Sequence, residues 1–307
     1  MRRAAGRFAG WGDRPALIDE HEAPVSYAEL ARLIAAWRER LPGLGVRAGD
    51  VVGLKGPYSA ELIACFWALA LAGNTILPLS ENAPELSAEA RKTTELAHLL
   101  RFDSRGKWAH EAHAAARANP LLAALRSRNG SGLVLFSSGS EGAPKIVLHD
   151  LERLFGKFDK KLKAFRTLLF LVFDHIAGLD TLFYTLCAGG CAVIENTRRP
   201  EAVCRAIARS RVQVLAATPS FLALVLAAGA HQEHDLSSLE IVTYGSEPMA
   251  PSLLRQLGEA LPAARLIQKY GTTELGSPSS RSRGGDSLWM KMHGEGFETR
   301  EIGRAHV

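Results

Sequence analysis

The sequence predicts an α/β protein built from doubly wound, mostly parallel sheets flanked by helices. Short runs rich in Val, Ile and Leu alternate with longer amphipathic stretches, a pattern typical of strand–helix units in a parallel sheet. The chain has 307 residues, of which 47% are hydrophobic and 22% are charged. A chain of this length and composition can bury a large core, so disordered and fibrous classes are excluded.

Each predicted element follows from an apolar run or from an amphipathic repeat. Strands are predicted at 50–55, 75–79, 132–137, 167–173, 191–195, 212–217, 239–244 and 265–269. Helices are predicted at 26–41, 59–72, 85–100, 109–126, 150–165, 178–189, 200–210, 219–229 and 250–260. The first helix also has a start signal, because Ser26 and Glu29 have the spacing of a capping box.

The segment 103–131 is rich in Ala, Arg, Gly and Ser, which favours a boundary there. We therefore expect a first α/β lobe at 1–128 and a second at 129–300, incomplete at its carboxyl end. The last residues, EIGRAHV, resemble a translated sequencing adapter. We expect 301–307 to be a non-native tail and the natural sequence to continue further.

The charge pattern gives no sign of a nucleic-acid partner, because the formal charge of +5 is small for this length and is spread along the chain. The densest basic stretch, 157–166, is predicted to form the solvated face of one helix, with an acidic carrier as the alternative partner. No apolar run is as long as a membrane span. The cysteines lack zinc-site spacing, so we expect buried thiols in a reducing, cytoplasmic compartment.

The most informative segment is GLVLFSSGSEGAPKIVLHD at 132–150, where an apolar strand enters a loop of small residues. Gly139 and Gly142 allow the backbone N–H groups to approach phosphate oxygens closely. The hydroxyls of Ser137, Ser138 and Ser140 add donors, and Lys145 adds a cation. The loop is not the P-loop of common ATPases, because residues 143–144 separate glycine from lysine. Taken alone, the pattern also fits a flexible turn.

SSGSEGAPK resembles the phosphate-loop signature of the adenylate-forming superfamily, which includes acyl-CoA synthetases, luciferases and the adenylation domains of peptide synthetases. Glu141 replaces a threonine that is usual in this signature, which removes one expected hydroxyl donor. The resemblance implies the fold of a partial N-terminal domain of such an enzyme. It also implies that the phosphates of ATP are bound by Ser137, Ser138, Gly139, Ser140, Glu141, Gly142 and Lys145.

Three further motifs lie downstream of this loop, and their order along the chain is the family's order; they are described here from the last to the first. Each alone also has a structural explanation, as core packing, a turn or a solvated surface. QKYGTTELGS resembles the Tyr-Gly-x-Thr-Glu motif, which implies that Tyr270 contacts adenine, Thr273 the α-phosphate and Glu274 Mg²⁺, with Gly271 and Thr272 beside them. VTYGSEPMAP resembles the segment lining the adenine and acyl pockets. That resemblance assigns nucleotide contacts to Gly245, Ser246, Glu247 and Pro248.

The motif that comes first in the chain resembles the family's His-x-x-Gly. This resemblance implies that His175 lies near the substrate carboxylate and that Gly178 permits close approach of a helix. An acyl pocket is expected to be shaped by Ala177, Leu179, Phe183 and Gly245. The resemblance as a whole assigns the catalytic roles to Lys145, His175, Thr273 and Glu274.

The implied reaction is activation of a carboxylic acid by ATP and Mg²⁺ to an acyl-AMP. In the full-length enzyme, transfer to coenzyme A or to the phosphopantetheine of an acyl or peptidyl carrier protein is expected to follow. The family's ribose-binding aspartate, hinge and late lysine are not found, so we expect the fragment to be weakly active or inactive alone.

Two alternatives remain open. One is a nucleotide-binding fragment without turnover, which measurement of exchange would separate from a clipped enzyme. The other is a dinucleotide-binding oxidoreductase, which is disfavoured because no G-x-G-x-x-G follows a strand with an acidic residue about 20 positions later.

Overall fold

The computed structural model describes residues 1–19, 24–114, 118–137, 145–282, 288 and 290–293. The helices in this part are α1 (Arg2–Trp11), α2 (Tyr27–Gly43), α3 (Ala60–Leu71), α4 (Ala88–Thr94), α5 (Pro120–Ser127), α6 (Leu151–Gly156), α7 (Ile176–Cys187), α8 (Pro200–Ser210), α9 (Pro219–Ala227), α10 (Ala230–Glu233) and α11 (Pro251–Ala260). None of these helices is long and apolar enough to cross a membrane.

The strands of the described chain form two large sheets and one hairpin. They are β1 (Pro15–Ile18), β2 (Pro24–Ser26), β3 (Val51–Lys55), β4 (Thr75–Leu79), β5 (Leu96–Phe102), β6 (Trp108–Ala112), β7 (Gly132–Ser137), β8 (Lys145–Asp150), β9 (Arg166–Leu169), β10 (Cys191–Ile194), β11 (Val214–Ala217), β12 (Ile241–Tyr244), β13 (Arg265–Gln268), β14 (Ser279–Ser282) and β15 (Met290–His293). The last two strands pair as the antiparallel hairpin.

The first sheet has the order β6-β5-β3-β4-β7-β8. Its inner strands are parallel, whereas β6 and β8 pair antiparallel at the two edges. The helix α3 is buried over nearly its whole length, and it starts at a Ser59 side chain that accepts the N–H of Leu62. The helices α2, α3 and α7 share one hydrophobic core with residues from both sheets. A fully buried helix fits between two sheets because each side of it meets an apolar face.

The second sheet has the order β13-β12-β11-β9-β10-β1-β2, and all of its pairings are parallel except β1 with β2. Side chains alternate between its faces, as the pleat requires. Leu168, Val242 and Leu266 belong to a core shared with α8, α9 and α11. The alternate positions Thr243 and Ile267 line a cavity on the side of α7. One face of the second sheet is therefore covered by the packed core with α8, α9 and α11, whereas the other face borders the cavity beside α7.

The predicted fold class is confirmed: mostly parallel sheets are flanked by helices, and every predicted strand occurs within a few residues of its predicted bounds. The capping box is present as well, because Ser26 accepts the N–H of Glu29 while the Glu29 carboxylate accepts the N–H of Ser26.

Two predicted helices in the first lobe are wrong. The helix predicted at 85–100 ends at Thr94, where Glu95 adopts a left-handed conformation, and the following residues form the central strand β5. The run LAHLLRF is almost continuously buried. A continuous apolar run has no periodicity by which a strand could be distinguished from a helix. The region predicted as a helix at 109–126 contains the edge strand β6 before α5, because pairing with β5 outweighs the local propensity of its residues.

The helix predicted at 150–165 is also too long, since α6 ends at Gly156. Lys157, Lys160 and Lys161 would face each other at helical spacings of three and four residues, where like charges destabilise a helix. The basic stretch is therefore not the face of one helix as predicted. It forms an irregular connection from α6 to β9.

Strand pairing crosses the predicted lobe boundary in both directions. The strands β7 and β8 complete the first sheet, although they lie in the predicted second lobe. The strands β1 and β2 belong to the second sheet, although they come from the amino-terminal region. Strand pairing alone does not show whether each predicted lobe is a separate folding unit. The division into lobes at 1–128 and 129–300 therefore stays a prediction.

Candidate functional site

A cavity of about 670 Å³ lies between α7 and the unfilled face of the second sheet. Thr167, Val214 and Ile241 line its floor, and its mouth is formed by the segments that follow the carboxyl ends of β9 to β13. Ligands of open α/β sheets bind at the carboxyl ends of parallel strands. The cavity is therefore the first candidate for a substrate site in the described chain.

His175 caps the amino terminus of α7 and lines the cavity. Its Nδ1 accepts the N–H of Ala177 at 3.2 Å, so the Nε2 of the neutral ring carries the proton. Gly178 is required by close packing: a Cβ at this position would lie 2.3 Å from the carbonyl oxygen of Val172 and 2.8 Å from the hydroxyl of Tyr58. The prediction that Gly178 permits close helix approach is confirmed.

Partial desolvation by the cavity walls lowers the pKa of His175, and the nearby Asp174 carboxylate offsets this only in part. The unfolded chain therefore binds more protons than the folded chain as the pH falls through the ordinary pKa of histidine. We expect the free energy of unfolding of the wild type, relative to His175→Gln, to decrease between about pH 7.5 and about pH 5. The ring is also exposed to water, so the change should be small.

Thermal or urea unfolding of both proteins across this pH range would measure the change. A relative stability of the wild type that grows on acidification would contradict the assigned direction.

One side of the mouth is the segment after β12. Gly245 permits contact with the neighbouring strand, because a Cβ there would lie 2.4 Å from the carbonyl oxygen of Lys269. Ser246 has a φ of 68°, a left-handed conformation that is uncommon for a residue other than glycine. The Glu247 carboxylate accepts the N–H of Ser220 at 3.0 Å, in the first turn of α9. It therefore stabilises a helix terminus at the rim.

The other side of the mouth is the segment after β13. Tyr270 lines the cavity and leaves 39% of its surface exposed, so its ring is open to a ligand. Thr272 and Gly276 close a tight turn through reciprocal backbone hydrogen bonds of 3.1 and 2.9 Å. The Thr272 hydroxyl accepts the N–H of Leu275, and the turn leaves the Glu274 side chain exposed.

The hairpin of β7 and β8 holds the two ends of the glycine-rich loop side by side, with Ser137 directly opposite Lys145. Ser137 is buried and Lys145 is exposed. The loop residues Ser138, Gly139, Ser140, Glu141 and Gly142 lie outside the described part of the chain. On β8, the Nε2 of His149 donates to the carbonyl oxygen of Thr273 at 2.6 Å. This hydrogen bond attaches the turn at 272–276 to the strand that begins with Lys145.

The predicted site residues fall into two groups. Those that line the cavity are His175, Gly245, Ser246, Glu247, Tyr270 and Gly271. Those that do not line it are Ser137, Lys145, Pro248, Thr272, Thr273 and Glu274. Of the expected acyl-pocket residues, Ala177 and Gly245 line the cavity, whereas Leu179 and Phe183 are fully buried in the hydrophobic core.

Sequence reasoning missed a charged cluster at the cavity, formed by Lys157, Asp180 and Lys269. Lys157 forms an ion pair with Asp180 and donates to the carbonyl oxygen of Ser277 at 2.9 Å. The pKa of Lys269 is lowered by the protein atoms around its ammonium and by the nearby lysines, against the opposing effect of Asp180. Lys269 lies directly before Tyr270 in the chain, so its place beside that motif could have been inferred from the sequence. The partner of Asp180 could not have been found from sequence spacing.

The family model described as "AMP-binding enzyme" matches residues 3–101 and 86–294 of this chain. The phenyloxazoline synthase MbtB of Mycolicibacterium paratuberculosis is 30% identical over 87% of this chain and 23% of its own length. Triostin synthetase I of Streptomyces triostinicus is 28% identical over 85% of this chain and 55% of its own length. The chain thus spans about a quarter of the first of these two curated relatives and about half of the second.

Two solved structures show the same fold at low identity. The N-terminal domain of FACL13 from Mycobacterium tuberculosis aligns with a TM-score of 0.71 and 20% identity, over 88% of this chain and 75% of that domain. The N-terminal subdomain of NpsA from Klebsiella oxytoca, in complex with 3-hydroxyanthranilyl-AMSN, aligns with a TM-score of 0.72 and 22% identity, over 90% and 74%. Together with the family model, these likenesses confirm the resemblance drawn from the motifs: the chain belongs to the AMP-binding enzyme family, within the adenylate-forming superfamily.

Proposed function

We propose that this chain forms the site at which a carboxylic acid is activated by ATP to an acyl-AMP, with release of pyrophosphate. The observation that carries the proposal is the arrangement at one sheet edge. His175, Gly245 and Tyr270 open onto one cavity, while Thr273 is hydrogen-bonded to the strand that leaves the glycine-rich loop. An acid in the cavity would then lie beside a triphosphate held by the loop.

The chemistry requires two anions to meet, so the residues must orient the carboxylate and offset its charge. The neutral His175 presents Nε2–H as a donor at the amino terminus of α7, where the helix dipole also favours an anion. Tyr270 offers an aromatic face to adenine, and the rim at 245–248 would contact the base and the acid. Lys145 supplies a cation at the exit of the loop, and Thr273 supplies a hydroxyl for the α-phosphate.

The donor set fits a Mg²⁺ ion that is shared with phosphate oxygens. In the described part of the chain, no cluster of three or more His, Cys, Asp or Glu side chains is placed to hold a metal ion. Mg²⁺ usually takes one or two carboxylates and completes its shell with phosphates and water. The exposed Glu274 would provide that carboxylate, and the ion would supply charge neutralisation at the phosphates.

Transfer of the acyl group to a thiol is the finer part of this proposal. Its support is that two relatives of this chain are a phenyloxazoline synthase and a triostin synthetase. We propose coenzyme A or a carrier-protein phosphopantetheine as the acceptor in the complete enzyme.

Nucleotide binding tests the proposal without requiring turnover. The 307-residue chain should bind a fluorescent ATP analogue in a Mg²⁺-dependent manner, and unlabelled ATP should displace it. Acid-dependent ATP–pyrophosphate exchange should be low for this chain alone. Absence of any ATP binding would contradict the proposal. ATP binding without exchange, even in the complete enzyme, would favour the alternative in which the protein binds the nucleotide but does not turn it over.

Replacing Glu274 with glutamine should raise the Mg²⁺ concentration needed for half-maximal ATP binding by about tenfold, because an amide is a weaker ligand for a hard cation than a carboxylate. A titration of Mg²⁺ at fixed nucleotide would measure the shift. Glu259→Gln, an exposed substitution on α11, is the matched control. An unchanged Mg²⁺ requirement in Glu274→Gln would remove this residue from the metal site.

A further inference from the structure

The turn at 272–276 carries the proposed α-phosphate and metal ligands, and two side chains from earlier in the chain hold its ends. Near its start, His149 of β8 donates to the carbonyl oxygen of Thr273 at 2.6 Å. Directly after its end, Lys157 donates to the carbonyl oxygen of Ser277 at 2.9 Å. The backbone hydrogen bonds that close the turn fix its shape but not its place relative to other elements. Its place therefore depends on contacts such as these two.

Lys157 also contacts the helix that borders the cavity. It forms an ion pair with Asp180 of α7, the helix that His175 caps. Asp180 and Ser277 both line the cavity, whereas Lys157 does not. Lys157 therefore joins α7 to the segment after β13 from outside the cavity, and it would act on a bound ligand through its two partners rather than by contact.

The position of Lys157 is itself fixed by burial on both sides. It is the C-cap of α6, and its backbone N–H donates to the carbonyl oxygen of Phe155. Phe155 and Phe158 are both buried in the core that the two sheets share. The ammonium lies 5.0 Å from the centre of the Phe158 ring, and only 25% of the Lys157 side chain is exposed. Because its charge is partly shielded from water, this ion pair should be stronger than an exposed one.

We propose that Lys157 is a positioning residue for the adenylation reaction. It holds the turn that carries Thr273 and Glu274 in a fixed place relative to α7. This inference rests on the proposed function, in which a carboxylate near His175 meets the α-phosphate near Thr273. Such a reaction requires the two reacting groups to be held in register, and a small displacement between them is costly.

Binding of a fluorescent ATP analogue to the 307-residue chain, measured over a titration of Mg²⁺, tests the inference. Lys157→Met should weaken nucleotide binding and raise the Mg²⁺ concentration for half-maximal binding, each by about tenfold, since the groups that orient metal ligands have effects of this size. Lys157→Arg keeps a charged donor, so it should restore part of the affinity. Lys161→Met, an exposed substitution in the same connection and outside the cavity, should behave as wild type.

Asp180→Asn distinguishes positioning from a direct effect of charge. If Lys157 acted by attracting the phosphates, removal of the paired carboxylate would free its charge and tighten nucleotide binding. If it holds the turn against α7, loss of the ion pair should weaken nucleotide binding, and Asp180→Asn should add little in the Lys157→Met background. Tighter nucleotide binding by Asp180→Asn would overturn the inference. This variant is also an independent test if Lys157→Met does not fold.

The outcomes separate this inference from the proposed function. Failure of the wild type to bind ATP would contradict the proposed function itself. Nucleotide affinity in Lys157→Met equal to that of the wild type would overturn only the role of Lys157, even with a lower melting temperature, because a merely structural ion pair changes stability alone. A melting temperature for each variant, with affinities measured well below it, would show that binding changes do not arise from unfolding.

Discussion

Replacing Arg126 with methionine should lower the free energy of unfolding by about 3 to 5 kcal/mol, because it leaves a buried carboxylate without its partner. Arg126 donates to the Glu95 carboxylate at 2.7 Å, and the Glu95 side chain is only 2% exposed. Glu95 also ends α4 in a left-handed conformation and accepts the backbone N–H of Asn119. The Glu95 carboxylate therefore connects the end of α4 and the start of β5 to both ends of α5, through Asn119 and Arg126.

Urea unfolding of three variants would test the size of this effect. The double variant Glu95→Gln with Arg126→Met should recover much of the loss, since no charge is then buried. Arg211→Met is the matched control, because its pair with Asp235 is more than half exposed, so water screens the charges and the loss should be much smaller. Similar losses in Arg126→Met and Arg211→Met would contradict the role of burial.

The same pair has a defined pH response. Burial raises the pKa of Glu95, but the Arg126 guanidinium and the backbone N–H groups outweigh it, so the pKa lies below its ordinary value. Its stabilising contribution is therefore present above the ordinary pKa of glutamate and is lost as the pH falls through the lower, folded value. Arg126→Met should show less of this loss on the acid side than the wild type.

Replacing Gly178 with alanine should lower the free energy of unfolding by about 2 to 3 kcal/mol, the usual cost of forcing an atom into a packed core. The added Cβ would lie 2.3 Å from the carbonyl oxygen of Val172 and 3.0 Å from that of Leu171. Backbone atoms cannot rotate away as a flexible side chain can, so α7 itself must shift. Thermal unfolding would measure the loss, and cavity binding should weaken with it because His175 begins this helix.

Gly258→Ala is the control for the intrinsic effect of the substitution. Gly258 lies in α11 with open space around its Cβ position, so alanine should stabilise the helix by about 0.5 to 1 kcal/mol. A neutral or stabilising result for Gly178→Ala would show that α7 does not need the close approach.

The sequence allowed the second sheet to be predicted better than the first, for a physical reason. The strands β9 to β13 are short apolar runs separated by helices with clear start signals, such as Pro200 and Pro219 at first helical positions. In the first sheet, β5 and β6 were predicted as helical because their pairing is set by distant partners. Local pattern carries no information about such partners.

The site shows the same division between local and distant information. The resemblance to the His-x-x-Gly motif implied the close approach at Gly178, whereas the close approach of Gly245 to the carbonyl oxygen of Lys269 was not predicted. The contact of His149 with Thr273 joins two distant segments, and neither residue has a local pattern that specifies the other. The strand β8 was not predicted, although its apolar run directly after the glycine-rich loop is typical of the second strand of a hairpin.

The pairing of Leu17 with Ala192 has a consequence for how the protein is made. At about 5 to 20 residues per second, a ribosome takes about 10 to 35 s to synthesise the intervening chain. During that interval β1 has been translated but its parallel neighbour has not. One edge of β1 can pair with β2 at once, but the edge that meets β10 must stay open during synthesis. A pause in translation between these strands should therefore change the yield of native protein.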